Sequence, residues 1–109
     1  MEIEVIEHKG RKIIAISGDI DLYSSPDLRE ALIKHIKSKI PSLYIDLKSV
    51  TYIDSSGIAT FVESLKVMKS YGGRLHFYGI PGGIMEIFRF SKLDRVFEIY
   101  GNIEDAINS

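Results

Sequence analysis

The chain has 109 residues, 45% of them hydrophobic and 27% charged, with a formal net charge of −1. This is the composition of an ordinary folded domain, long enough to bury one core without covalent staples. The absence of cysteine excludes disulfides, thiol catalysis and thiolate metal sites; the near-neutral charge argues against direct nucleic-acid binding.

The N-terminal segment is acidic (Glu2, Glu4, Glu7), unlike the basic-then-apolar pattern of a secretory signal. No apolar run approaches the roughly 20 residues of a membrane-spanning helix. The expectation is a cytoplasmic protein with no membrane span and with residues 1–109 as one domain.

Ile3 and Val5 alternate with Glu2 and Glu4, which predicts a half-buried strand. Lys9-Gly10 supplies a turn. Ile13-Ile14-Ala15-Ile16 is apolar at successive positions and mostly β-branched, so it predicts a strand buried on both faces. The two strands read as an opening hairpin that ends at Gly18. Ser24-Ser25-Pro26-Asp27 is a helix-start signal: serine caps, proline suits the first helical position and aspartate suits the positive end. Leu28, Ala31, Leu32, Ile36 and Ile40 then share one helical face, and Pro41 predicts the stop.

Leu43–Leu47 predicts a short central strand. Val50-Thr51-Tyr52-Ile53-Asp54-Ser55-Ser56-Gly57-Ile58-Ala59 reads as a strand-to-helix turn. The helix behind it carries Ile58, Phe61, Val62, Leu65 and Met68 as its buried stripe, and Gly72-Gly73 ends it. Arg74–Tyr78 predicts another strand and Ile80–Gly83 a loop. A short third helix follows, formed by Ile84, Ile87, Phe88 and Phe90. Val96–Tyr100 predicts a last strand and Ile103–Ile107 a terminal helical turn. The order β-β-α-β-α-β-α-β-α implies an α/β fold. An opening β-hairpin leads into right-handed crossovers, giving a mixed sheet of about four or five strands with about four helices.

The strand-to-helix turn carries the most chemistry. A helix N-terminus has unpaired N–H groups and about half a positive charge, so a serine there can receive a phosphate where an anion is favoured. A nucleophile elbow needs glycine two residues to either side of the serine, whereas Ser55 is flanked by Ile53 and Gly57. No histidine has the placement of a catalytic base: His8 is near a hairpin end, His35 mid-helix and His76 inside a strand. Ordinary capping is the plain alternative for Asp54-Ser55-Ser56-Gly57. Asp19 and Asp21 lack further ligands for a divalent ion and read as a solvated loop. Pro81-Gly82-Gly83 lacks the lysine and spacing of a phosphate loop. The residues call for no cofactor.

Gly18-Asp19-Ile20-Asp21, Tyr52-Ile53-Asp54-Ser55-Ser56-Gly57-Ile58-Ala59 and Leu93-Asp94-Arg95-Val96-Phe97 stand together in one order. In that combination the chain resembles, over essentially its whole length, a stand-alone STAS domain of the bacterial anti-sigma factor antagonist family. The resemblance implies a regulator with no catalytic role of its own. In that family the unphosphorylated antagonist binds an anti-sigma factor that is itself a serine kinase, and the sigma factor is released. The kinase, with ATP and Mg²⁺, phosphorylates the serine that follows the aspartate, here Ser55, and the complex separates. A PP2C-type phosphatase resets the system. The same resemblance implies a partner-binding surface of Asp21, Ser24, Asp54, Ser56, Gly57, Ile58 and Thr60. The residues alone do not separate Ser55 from Ser56, since both hydroxyls lie at the turn. Gly57-Ile58-Ala59 stands where the family often has Gly-Leu-Gly, and Ala59 is expected to preserve the helix packing. A monomer is the expected free state. The alternative is a STAS scaffold or accessory subunit of a signalling or transport assembly, without a phospho-switch.

Overall fold

The computed structural model describes residues 1–109. The elements are β1 (Glu2–His8), β2 (Arg11–Ile20), α1 (Ser25–Ile36), β3 (Ser42–Ile53), α2 (Ser55–Ser70), β4 (Arg74–Tyr78), α3 (Gly82–Phe90), a 3₁₀ turn (Leu93–Arg95), β5 (Glu98–Tyr100) and α4 (Ile103–Ile107). β1 and β2 form the antiparallel hairpin, with Glu2 opposite Ser17 and His8 opposite Arg11. Every later pairing is parallel, and the strands lie in the order β1-β2-β3-β4-β5.

Sequential strand order has a direct consequence. Successive right-handed crossovers that always step in one direction put their helices on the same face of the sheet. The main core lies there. It joins Ile14, Ile16 and Ile20 of β2 to Leu28, Leu32 and Ile36 of α1, Phe61, Leu65 and Met68 of α2, and Ile84 and Phe88 of α3. Phe77 of β4 stands among aromatic rings, edge-on to Phe61 and tilted against Phe97. α4 closes the other face over a small cluster of Ile13, Tyr44, Tyr78 and Ala106. The continuous apolar run of β2 is therefore buried on both faces, with Ile14 and Ile16 facing α1–α3 and Ile13 facing α4.

Three details differ from the sequence reading. β3 runs on from Leu47 to Ile53 because β2 pairs with it through Ser17–Ser49 and Ile20–Ile53; pairing overrides the weak local propensity of Lys48-Ser49. α1 ends at Ile36, ahead of Pro41, and Lys39 takes a left-handed conformation (φ 56°) in the turn that follows. The last strand begins only at Glu98, because Leu93–Arg95 forms the 3₁₀ turn and Phe97 drops into the main core. In α3 only Ile84 and Phe88 are buried, whereas Phe90 is 92% exposed. Two residues past Phe88 is a rotation of about 200° around the helix, so Phe90 faces away from the sheet.

Gly57 sets how α2 meets the sheet. A Cβ there would lie 2.6 Å from Ile20 Cγ2 and 2.8 Å from Ile53 Cγ1, so the first turn of α2 rests directly on the ends of β2 and β3. Gly57→Ala is expected to destabilise the fold by about 1–3 kcal/mol through overpacking. A urea titration reads this as a lower midpoint at unchanged slope. An unchanged midpoint would mean that α2 can lift from the strand ends at no cost.

Candidate functional site

The site is built where β2 and β3 both end. The Asp54 N–H donates to the Ile20 carbonyl (3.0 Å), tying the two strand ends together. Asp54 then leaves the strand in an extended conformation (φ −110°, ψ −174°) and becomes the N-cap of α2. Its carboxylate accepts from the N–H groups of Ser56 (2.9 Å) and Gly57 (3.3 Å), and from that of Leu22 in the β2–α1 loop (3.1 Å). The Ser56 hydroxyl also donates to it, at 2.5 Å. One carboxylate thus caps the helix and holds a neighbouring loop.

The two serines are thereby distinguished. Ser56 is half-buried and its hydroxyl is committed to Asp54. Ser55 is the first helical residue, is exposed, and its side chain makes no hydrogen bond to Asp54. At this helix start the Ser56 and Gly57 N–H groups are already taken by the Asp54 carboxylate and that of Ile58 by the Asp54 carbonyl. A phosphate on Ser55 would therefore meet a fixed carboxylate beside it, not a vacant cluster of N–H groups.

The other site residues identified from the sequence divide by role. Gly57 is buried against the strand ends, and Ile58 packs partly on the main core. Thr60 is buried and its hydroxyl donates to the Ser56 carbonyl (3.0 Å) inside the helix. Ala59 is exposed, so the residue type there does not affect packing. Asp21 is half-buried and its Oδ1 accepts from the N–H groups of Tyr23 and Ser24, both at 3.0 Å. Ser24 precedes α1 in a helical conformation and makes no cap bond to it. Its hydroxyl instead accepts from the Asp21 N–H (2.9 Å) and lies 3.0 Å from the Asp19 carbonyl. Ser24 thus knits the loop together and does not cap the helix. Asp19 lies in β2, where its carboxylate accepts from the Thr51 hydroxyl (2.7 Å).

This knitted loop presents Leu22 and Tyr23 to solvent, 68% and 90% exposed, and Tyr52 of β3 is also exposed. The sequence reading passed over Leu22 and Tyr23. Their signal was an apolar pair set between Asp21 and Ser24, where a turn needs no apolar side chain. A shallow depression bordered by Asp19, Asp21, Ser24, Asp27 and Thr51 lies beside them. His76 lies on the α4 side of the sheet, stacked on Tyr44, across from the face that carries α2. No helix is long and apolar enough to cross a membrane.

The Ser56 hydroxyl, with the N–H groups of Gly57, Ser56 and Leu22, holds the Asp54 carboxyl below its ordinary 3.8, against a smaller opposing effect of burial. A carboxyl depressed in the folded state stabilises the fold above its unfolded value, and that contribution fades as pH falls through the folded value. The Asp54 carboxyl carbon is expected to titrate below 3.8 in an NMR pH series, with Ser56→Ala moving the midpoint upward. A midpoint at or above the ordinary value would contradict this capping geometry.

Known proteins resemble the chain over nearly its full length. The STAS domain family matches residues 2–106. An anti-sigma-B factor antagonist of Listeria monocytogenes is 33% identical over 110 aligned positions, covering 99% of this chain and 95% of that one. An anti-sigma-B factor antagonist of Bacillus subtilis is 30% identical over 107, covering 98% and 97%. The crystal structure of a putative anti-sigma factor antagonist from Thermotoga maritima superposes with a TM-score of 0.91 at 18% identity, covering 97% of this chain and 92% of that one. The family match, the relatives and the five-stranded mixed sheet with four helices agree, and the chain belongs to the STAS domain family.

Proposed function

We propose that this chain is an anti-sigma factor antagonist, switched by phosphorylation of Ser55. Unphosphorylated, it binds an anti-sigma serine kinase in the cytoplasm and frees the sigma factor; phosphorylated, it lets go. Residues 1–109 act as one STAS domain, monomeric when free, with no catalysis of its own and no contact with nucleic acid. The names of the relatives support the antagonist role. The observation that supports Ser55 as acceptor is its exposed, unengaged hydroxyl beside a Ser56 that is tied to Asp54.

The chemistry needs nothing from this chain except a positioned hydroxyl. The Ser55 Oγ attacks the γ-phosphorus of ATP, ADP leaves, and the hydroxyl proton passes to a base of the kinase. A PP2C-type phosphatase later directs water onto the phosphoserine, releasing inorganic phosphate and restoring the hydroxyl. The surface presented to the kinase combines Leu22 and Tyr23 with Asp21, Ser24, Asp54 and the first turn of α2. Ser56, Gly57, Ile58 and Thr60 hold that turn in place.

The phosphate brings about −1.5 to −2 charges at neutral pH to a point next to an ionised Asp54. Burying that charge in an interface combines desolvation with like-charge repulsion. A penalty of about 3–4 kcal/mol weakens binding by two to three decades, so no refolding is needed.

The test uses the chain as bait in an extract of its source cell, with ADP and then ATP. A kinase is expected to bind with ADP and to leave with ATP, and phosphopeptide mapping is expected to place the phosphate on Ser55. Ser55→Ala should stay bound in ATP. Ser55→Asp should bind at least tenfold more weakly, though less weakly than the phosphorylated chain, because one carboxylate carries less charge than a phosphate. Phosphate on Ser56 alone, or equal affinity of wild type and Ser55→Asp, overturns the assignment. Amide NMR shifts on phosphorylation should cluster in residues 54–60 and 21–24; widespread shifts in β2 and β3 would replace the charge mechanism with a conformational one.

A further inference from the structure

His76 has no part in the site around Ser55, yet it is the most unusual polar group in the molecule. It sits in β4 with 1% of its surface exposed, and neither ring nitrogen has a hydrogen-bond partner. Buried polar atoms are almost always satisfied, so an imidazole with two orphan nitrogens is held by its surroundings against a cost. Those surroundings are apolar and aromatic. Its ring stacks on Tyr44 of β3 at 4.4 Å and 7°, and Tyr100 of β5 tilts over it at 5.9 Å. α4 packs on β4 and β5 and adds Ile103, Ala106 and Ile107 to this side of the sheet.

The charged groups nearby are already committed. The carboxylate of Glu98 in β5 lies 4.0 Å from His76 Nδ1, too far for a hydrogen bond. It is clamped by Arg74 Nε (3.0 Å) and by the Tyr100 hydroxyl (3.0 Å). Asp46 of β3 accepts from the Tyr78 hydroxyl and from the Lys48 N–H. On α4, Glu104 is held by Lys9 (2.8 Å) and His8 (3.2 Å), and Asp105 bonds Asn102. From β1 and β2 this face receives Ile6 and Ile13. A proton added to the His76 ring therefore finds no acceptor within hydrogen-bond distance while α4 is in place, Glu98 at 4.0 Å being only a longer-range counter-charge.

We propose that His76 is an acid-sensitive latch for the C-terminal helix: protonating its sealed ring drives α4 off the sheet and uncovers the Tyr44–Tyr78 face, while the α1–α3 face stays folded. The helix is the weakest cover in the molecule, with five residues and one buried side chain. Short segments with few buried contacts are the ones that open locally. Opening gives the imidazolium water on one side and leaves the main core untouched, because that core lies across the sheet.

The sign follows from the burial. Desolvation lowers the His76 pKa from its ordinary 6.5, Glu98 opposes this and Arg74 adds to the lowering. With α4 displaced, the ring titrates near its ordinary value. Docking is therefore at full strength above 6.5 and weakens as pH falls toward the lower docked value.

Hydrogen exchange of the full chain tests the proposal, with rates corrected for the intrinsic effect of pH. Between pH 7.5 and 5, protection of residues 103–108 is expected to fall severalfold, while β3 keeps its protection. His76→Phe retains the stacked ring and removes the titration, so its α4 protection should stay level. Should that variant fail to fold, the wild-type His76 ring resonances replace it, with an expected midpoint below 6.5 that coincides with movement of the α4 amides. Level α4 protection in the wild type overturns the latch. So does a fall that persists in His76→Phe, or a ring that titrates at its ordinary value with α4 still docked.

Discussion

Asp54 joins two stretches of chain that are distant in sequence, the end of β2 with the loop that follows it and the start of α2. Its N–H closes the ends of β2 and β3, and its carboxylate starts α2 and pins the loop at Leu22. Each of those contacts fixes a backbone segment that would otherwise carry unpaired donors at the edge of the core. The exposure of Ser55, the commitment of Ser56 and the outward set of Leu22 and Tyr23 all follow from where this one side chain sits. A carboxylate suits the task because it accepts several hydrogen bonds at once and stays ionised while doing so.

The sheet makes that convergence possible. Parallel β2 and β3 end side by side, so the β2–α1 and β3–α2 connections emerge at the same edge. This is the edge where α/β sheets generally collect their functional loops. Gly57 then lets α2 approach the strand ends at a distance that no other residue allows. The site is thus rigid where it meets the core and exposed only at Ser55 and the loop tip. That arrangement suits a switch made by added charge, because the scaffold beneath has little freedom to respond.

The two faces of the sheet differ in kind. The α1–α3 face holds the large apolar cluster, with Phe61, Phe77 and Phe88 fully buried. The α4 face holds four buried residues and the stacked Tyr44–His76 pair under one short helix. The larger apolar core lies on the first face and the buried, unpaired imidazole on the second. The roles proposed for Ser55 and for His76 therefore fall on different halves of the molecule.

The sequence by itself determined the α/β class, the opening hairpin, the buried stripes of α1 and α2, and the importance of the Asp54–Gly57 turn. These are local matters of apolar period, capping chemistry and glycine placement, which a chain carries in adjacent residues. It also gave the family resemblance, since the motifs keep their order along the chain. Only the tertiary structure decided which serine is free, because that depends on a hydrogen bond from Ser56 to Asp54 and not on residue type. The same holds for Asp21 and Ser24, whose polar atoms turned into the loop, and for Leu22 and Tyr23, whose exposure rests on that loop's fold. The full length of β3 came from its pairing with β2, and the burial of His76 from neighbouring strands that bring Tyr44 and Tyr100 against its ring. Contacts between distant segments set these features, and no local pattern of residues encodes them.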